Sequence, residues 1–138
     1  MTEQVREIMM ADPVTVSPQT PIDEAARLMR DQNIGDVLIA DGDQLRGLVT
    51  DRDLTVRALA DDKPPTTSVQ EVCSRNPVSC TPDDDVERAA ALMREHSLRR
   101  LPVVDSGRLV GVISLGDLAI ERDPTSALAD ISATRPNS

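Results

Sequence analysis

Gly47-Leu48-Val49-Thr50-Asp51-Arg52-Asp53-Leu54 returns 64 residues later as Gly111-Val112-Ile113-Ser114-Leu115-Gly116-Asp117-Leu118. Working outward from this pair, Val5–Arg57 lies on Val69–Glu121 without a gap. Pro13-Val14 falls on Pro77-Val78, and Ala25-Ala26-Arg27-Leu28-Met29-Arg30 on Ala89-Ala90-Ala91-Leu92-Met93-Arg94. A repeat of this length is a folded unit of about fifty residues, not a solenoid motif. The two copies nearly fill the 138 residues, so function is sought in the repeat or between the copies. A domain of ~60 residues buries only roughly 60% of its unfolded surface, so the copies are expected to share one core.

Each copy reads β-α-β-β-α. A short helical segment (Val5–Met10, Val69–Arg75) runs to Asp12-Pro13 or Asn76-Pro77, where proline holds the preceding residue extended. A short extended piece follows, Val14–Val16 or Val78–Cys80. Thr20, Pro21 and Asp23 offer an N-cap, a first-turn proline and an acid for the next helix, and Asp84 with Glu87 offers the same in the second copy. The apolar faces Ile22, Ala25, Ala26, Met29 and Val86, Ala89, Ala90, Met93 have helical spacing to about Gln32 and His96. Strands are expected at Val37–Ala40 with Leu45–Thr50, and at Leu101–Val104 with Arg108–Ser114. Turn residues Asp41-Gly42-Asp43-Gln44 and Asp105-Ser106-Gly107 join them, and a second helix starts at Asp51 and at Leu115. The expected fold class is α/β (α+β), two tandem repeats packed about a pseudo-twofold axis. The boundaries are 1–60 for the first repeat, 61–68 for a surface linker carrying Pro64-Pro65, 69–123 for the second repeat, and 124–138 for a tail with a short helix around Ala127–Ile131.

Composition narrows the function. The chain has no Phe, Tyr or Trp and a net charge of −9. The core must therefore be aliphatic, the stacking platforms of single-strand nucleic-acid binders are absent, and no basic face opposes phosphate backbones. No apolar run is long enough to span a membrane, and Met1-Thr2-Glu3-Gln4 has no signal-peptide character, so a cytoplasmic protein is the default expectation. Cys73 and Cys80 align with Met9 and Val16, which reads as two small hydrophobes, with a regulatory disulfide as the alternative. They do not make a zinc site, and no metal site is expected. His96 aligns with Gln32 near a helix end and reads as a polar surface residue.

The repeated chemistry is a strand, Gly-x-x-[Ser/Thr]-x-x-Asp, then a helix. One reading is a nucleoside clamp. A carboxylate accepts hydrogen bonds from both ribose hydroxyls, and a hydroxyl beside free N–H groups at a helix start meets phosphate. The other reading is a helix cap, since Thr50 with Asp53 and Ser114 with Asp117 have capping-box spacing. Gly47 and Gly111 would let the strand approach either a ligand or a neighbouring backbone. Duplication does not separate these readings, because a repeat copies a cap as faithfully as a site.

The repeat resembles the cystathionine-β-synthase (CBS) domain, and the tandem resembles a CBS pair, or Bateman module. The resemblance rests on Met9-Met10-Ala11-Asp12-Pro13-Val14-Thr15-Val16, the Ala25–Met29 helix, Arg99-Arg100-Leu101-Pro102-Val103-Val104-Asp105, and the two Gly-to-Leu stretches quoted first. It covers about Val5–Glu121, and the short chain is also similar to small stand-alone CBS-pair proteins, stress- and hypoxia-response types among them. The resemblance implies a non-enzymatic regulatory module that binds AMP, ADP, ATP, S-adenosylmethionine or NAD as a regulatory ligand, in two related clefts between the sheets. In one, Asp53 takes the ribose beside Thr50, with Thr15 and Val37 near the base. In the other, Asp117 and Ser114 take those roles, with Ser79, Leu101 and Pro102 near the base. Arg52, Arg99 and Arg100 are candidate phosphate contacts because of the fixed guanidinium fork, or else solvated helix ends and strand edges. The resemblance also implies a symmetric homodimer, a flat disc of four repeats, and an unidentified protein partner is expected to receive the signal.

The copies differ. Gly35-Asp36 stands where Arg99-Arg100 stands and Asp51-Arg52 where Leu115-Gly116 stands, so Asp36 and Asp51 oppose phosphate in the first copy unless they are paired. This keeps a second function class open, a structural dimerisation or partner-binding module with degenerate ligand sites. An enzyme is the poorest reading. The chain shows no Ser-His-Asp or Cys-His arrangement, and two Asp in equivalent positions read as duplicated binding groups rather than one acid–base pair.

Overall fold

The computed structural model describes residues 3–122; the tail expectation at 124–138 lies outside them. The elements in chain order are α1 (Val5–Ile8), β1 (Met10–Ala11), β2 (Thr15–Val16), α2 (Ile22–Gln32), β3 (Asp36–Asp41), β4 (Gln44–Thr50), α3 (Asp51–Asp53), β5 (Ser74–Arg75), α4 (Val86–Glu95), β6 (Arg100–Asp105), β7 (Arg108–Ser114) and α5 (Leu115–Arg122). No described helix is long and apolar enough to cross a membrane.

The compact units are not the sequence repeats. One unit is Val14–Pro77; the other joins the segment ending at Pro13 to the chain from Val78 onward. Each repeat thus gives its opening segment to the body of the other. In the Val14–Pro77 unit, β2 runs parallel to β3, β3 pairs antiparallel with β4, and β5 pairs antiparallel with β4 through Gly47↔Arg75 and Leu48↔Ser74. In the other unit Cys80 bridges Val103 in parallel, β6 pairs antiparallel with β7, and β1 pairs with β7 through Met10↔Val112 and Ala11↔Gly111. The exchange is reciprocal, since Met10-Ala11 and Ser74-Arg75 are equivalent residues.

The cores follow from strand alternation, because neighbouring residues on a strand point to opposite faces. Val37, Ile39 and Val49 face α2 and pack with Ile22, Ala25, Met29, Val69 and Val72. Leu101, Val103 and Ile113 pack with Val5, Val86, Ala89 and Met93. Burying each such aliphatic side chain stabilises by about 1.5–3 kcal/mol, so the exchanged Val5 and Val69 help to hold the body that each joins. Ala26, expected on the apolar face, is exposed while its counterpart Ala90 is buried.

The helix starts differ from expectation. Thr20 is not a cap: α2 begins at Ile22 after Pro21 without a side-chain cap, and the Thr20 carbonyl accepts from the Val69 N–H at 2.8 Å. The first-turn donors Ile22 and Asp23 are taken by the carbonyls of Thr67 and Pro65, so the linker is docked onto the helix start. Asp84 accepts from the Thr81 N–H, before the helix, and α4 also starts without a side-chain cap. Of the helical expectation at Val69–Arg75, only Val69–Glu71 winds, as a 3-10 turn. Beyond α3 the chain continues as a π-helix over Leu54–Leu59. Here the Thr55 hydroxyl donates to the Asp51 carbonyl at 3.1 Å, a contact that competes with the ordinary backbone bond.

Candidate functional site

Each candidate clamp sits where a strand turns directly into a helix. The Asp53 N–H donates to Thr50 Oγ1 at 3.0 Å, and the Thr50 N–H donates to Asp53 Oδ2 at 2.9 Å. In the second copy the Asp117 N–H donates to Ser114 Oγ at 3.1 Å, and the Ser114 N–H to Asp117 Oδ2 at 2.9 Å. The capping box is therefore present in both. A cap fixes the carboxylate at the positive end of the helix and leaves the second carboxylate oxygen outside the box. In Asp53 that oxygen, Oδ1, lies 3.6 Å from Arg57 Nε. Asp53 is buried and Asp117 half-buried.

A second repeated feature closes the helix start. The Asp51 N–H donates to the Gly35 carbonyl at 2.9 Å, and the Leu115 N–H to the Arg99 carbonyl at 2.8 Å. Register then places Asp36 directly opposite Thr50, and Arg100 directly opposite Ser114.

Alternation sorts the sequence candidates by face. Thr15 pairs with Leu38 and Leu38 with Leu48, so Thr15, Asp36 and Thr50 share the face turned away from α2. By the same count Ser79, Arg100, Pro102 and Ser114 share the corresponding face in the other unit. Val37 and Leu101 lie on the opposite faces. Both are fully buried in the helix-side cores, so the expectation that they touch a base is corrected: they pack the layer beneath the clamp. Pro102 is buried and its carbonyl accepts from the Cys80 N–H at 3.0 Å. Thr15, Arg52, Ser79 and Arg99 are exposed and Arg100 is half-buried.

The glycines serve the exchanged strands. A Cβ at Gly47 would lie 2.9 Å from the Ser74 carbonyl oxygen, and one at Gly111 would lie 2.8 Å from that of Met10. Close approach of a neighbouring backbone is thus the reason for both.

The two cysteines are free. Burial pushes the Cys80 thiol up to about 12, with Asp84 adding to the rise, and burial also raises Cys73. His96 is exposed. Among the described residues no group of three or more His, Cys, Asp or Glu side chains is placed to hold a metal ion. The sequence reading missed Arg57, whose contact with Asp53 follows from its position one turn on, and the side chains around the β3–β4 hairpin described below.

The duplicated β-α-β-β-α body, its capped acid and the spacing between copies are matched by a known family. The CBS domain profile fits residues 5–59 and again residues 69–122. The chain belongs to the CBS domain family. The CBS domain-containing protein YhcV of Bacillus subtilis is 41% identical over 132 residues, covering 93% of this chain and 94% of the relative. Two of the similar solved structures carry adenosyl ligands. CBSX2 in complex with AMP is 26% identical with a TM-score of 0.76, covering 86% of this chain and 95% of that one. The CBS domain pair of MJ0100, in complex with 5′-methylthioadenosine and S-adenosyl-L-methionine, is 26% identical with a TM-score of 0.78, covering 91% and 100%.

Proposed function

We propose that this CBS pair is a non-enzymatic regulatory module that binds an adenosyl ligand, with AMP, ADP, ATP, S-adenosylmethionine and NAD as the candidates. The observation that carries the reading is the duplicated clamp, an Asp held rigid by its own helix cap with one carboxylate oxygen left outside the box. The acid takes the ribose hydroxyls, and the arginines nearby take a phosphate where the ligand carries one. The AMP of CBSX2 and the 5′-methylthioadenosine and S-adenosyl-L-methionine of the MJ0100 pair support an adenosyl ligand as the class. The clamp residues are Thr50 and Asp53 in one copy and Ser114 and Asp117 in the other, with Thr15 and Ser79 on the same faces. Arg52, Arg99 and Arg100 are the phosphate-facing cations. Binding acts as a signal only through a difference in affinity between two states, passed to a protein partner.

The test is isothermal titration with AMP, ATP, S-adenosylmethionine and NAD. Saturable binding by at least one, weakened in Asp53→Ala or Asp117→Ala, is the expected result. No binding by any of them at millimolar concentration would leave the acids as helix caps and favour the second reading, a dimerisation module with degenerate sites. That reading draws on Asp36, which stands opposite Thr50 where Arg100 stands opposite Ser114.

The module is further proposed to be a symmetric homodimer. An apolar groove of about 190 Å³, lined by Ile22, Ala26, Leu54, Ala58 and Leu59 among others, opens on the Val14–Pro77 unit. A twofold pairing of equal surfaces is the commonest way to cover such a face.

A further inference from the structure

We propose a second ligand site, for a small organic anion with one phosphate or carboxylate head and a flat apolar body, at the hairpin end of β3 and β4. It is independent of the clamps. A cleft of about 470 Å³ opens there within the Val14–Pro77 unit, inside the range of about 300–1,000 Å³ typical of small-molecule sites. The clamp is at the other end of the same strand. Leu45, which lines the cleft, is five residues from Thr50, or ~17 Å along β4. The faces differ as well, since Ile39 in the cleft points to the helix side and Thr50 does not.

The lining has the parts such a ligand needs. Pro18 and Leu45, both half-buried, offer aliphatic surface to an apolar body. Gln19, Gln70 and Asn76 present carboxamides, which both donate and accept. Arg46 and Arg75 supply guanidinium forks, the group best matched to phosphate or carboxylate. The backbone aims both arginines. The β3–β4 register shifts between Ile39 and Ala40, so that Arg46 is the extra residue of a bulge, a device that redirects a side chain. Gln44 accepts from Arg46 Nη2 at 3.1 Å, and Asp41 Oδ2 lies 3.7 Å away, which steadies the guanidinium at the rim. Arg75 is in register with Gly47, so it points to the same face as Ile39.

The other compact unit shows that this chemistry is not a by-product of the repeat. At equivalent positions Val110 replaces Arg46, Ala11 replaces Arg75 and Asp12 replaces Asn76. Gln70 and Gln19 correspond to Arg6 and Asp83, and those two side chains form an ion pair with each other. That unit therefore satisfies its polar pair internally and has neither arginine at the equivalent positions. The Val14–Pro77 unit carries two arginines, one of them beside Asp41, and three carboxamides at the cleft.

The test is an NMR titration of the full chain, labelled with nitrogen-15, using phenyl phosphate, which has no ribose for the clamps. The expected result is saturable shifts at the Gly47 and Arg75 amides and at the side-chain amides of Gln19, Gln70 and Asn76. Saturating adenosine should not displace the probe. The double variant Arg46→Ala/Arg75→Ala should weaken binding by about tenfold or more, the loss of charge-assisted bonds. Both arginines are exposed, so the variant is expected to fold, which its amide spectrum reports directly. Shifts centred on Thr50 or Ser114, displacement by adenosine, unchanged affinity in the double variant, or no saturation at millimolar probe would each overturn the proposal.

Discussion

Arg100 faces Ser114 directly across the β6–β7 ladder, at the position where Asp36 faces Thr50 in the first copy. Facing side chains in an antiparallel pair have Cβ atoms about 4.5–5.5 Å apart. A phosphate near the Ser114 helix start therefore meets a cation, and one near Thr50 meets a carboxylate. Asp117→Ala should lower AMP affinity by about 1–3 kcal/mol, the worth of a lost bond pair, and Asp53→Ala by less. Each acid also caps a helix, so both variants should lose roughly 1 kcal/mol of stability. Titration calorimetry on the folded variants, beside urea unfolding, separates the two effects. Equal losses of affinity would contradict the asymmetry argued from Arg100 and Asp36.

Gly47→Ala and Gly111→Ala should destabilise by about 1–3 kcal/mol, the usual penalty of overpacking. The new methyl would press on a carbonyl oxygen of an exchanged strand, Ser74 or Met10, which cannot move aside like a side-chain tip. Gly42→Ala tests a different mechanism. Gly42 has open space but φ of +64°, so any loss there is backbone strain alone. Urea midpoints give all three values. A Gly111→Ala protein as stable as the parent would mean that β1 does not pack against β7 as described.

Much of this was legible in the sequence because the repeat fixes equivalences. The two hairpins, the helices at Asp51 and Leu115 and the capping pairs were read from Gly47–Leu54 and its copy. What escaped was non-local. Nothing in Val5–Ile8 or Val69–Glu71 states which body each segment joins, since both are short and carry one deeply buried valine. Val37 and Leu101 were assigned to the ligand because the pattern shows that a residue is buried, not what covers it. Thr20 looked like a cap because Ser/Thr before Pro is a good local signal, but the carbonyls of Pro65 and Thr67 take the donors that a cap would serve. Cys80 was legible as a small hydrophobe, because its counterpart is Val16.

The Cys80 thiol makes stability depend on alkaline pH. Its proton is held to about 12 in the folded chain against an ordinary value of 9.0, chiefly by burial. Below pH 9 both states keep the proton and stability is at its full value. Above that the unfolded chain releases the proton and the native one does not, so the unfolded state binds fewer protons and stability falls as pH rises toward 12. Cys73, raised by burial as well, adds a smaller fall of the same sign. The chain has no Tyr, so no phenol adds to the change in this range. Urea midpoints at neutral pH and at about pH 10.5, where a free thiol is ionised, should differ more in the parent than in Cys80→Val. Equal slopes in the two proteins would show that Cys80 ionises freely.

Assembly is tested by Leu59→Glu. Leu59 is 74% exposed and Val56 47% exposed, and Leu59 lines the groove with Ala26 and Ala58. The π-helical winding over Leu54–Leu59 turns these side chains outward while Ala58 and Leu54 stay against the core. A leucine so exposed contributes little to the stability of its own chain, so a charge there should leave the fold intact. In a twofold dimer the same glutamate appears on both sides of the axis, where burial of an unpaired charge is strongly unfavourable. Sedimentation equilibrium at micromolar concentration should therefore give a dimer mass for the parent and a monomer mass for Leu59→Glu, with the circular-dichroism spectrum unchanged. The rival reading is a monomer; it predicts a monomer mass for both proteins. A parent monomer, unaltered by AMP or S-adenosylmethionine, would sink the dimer.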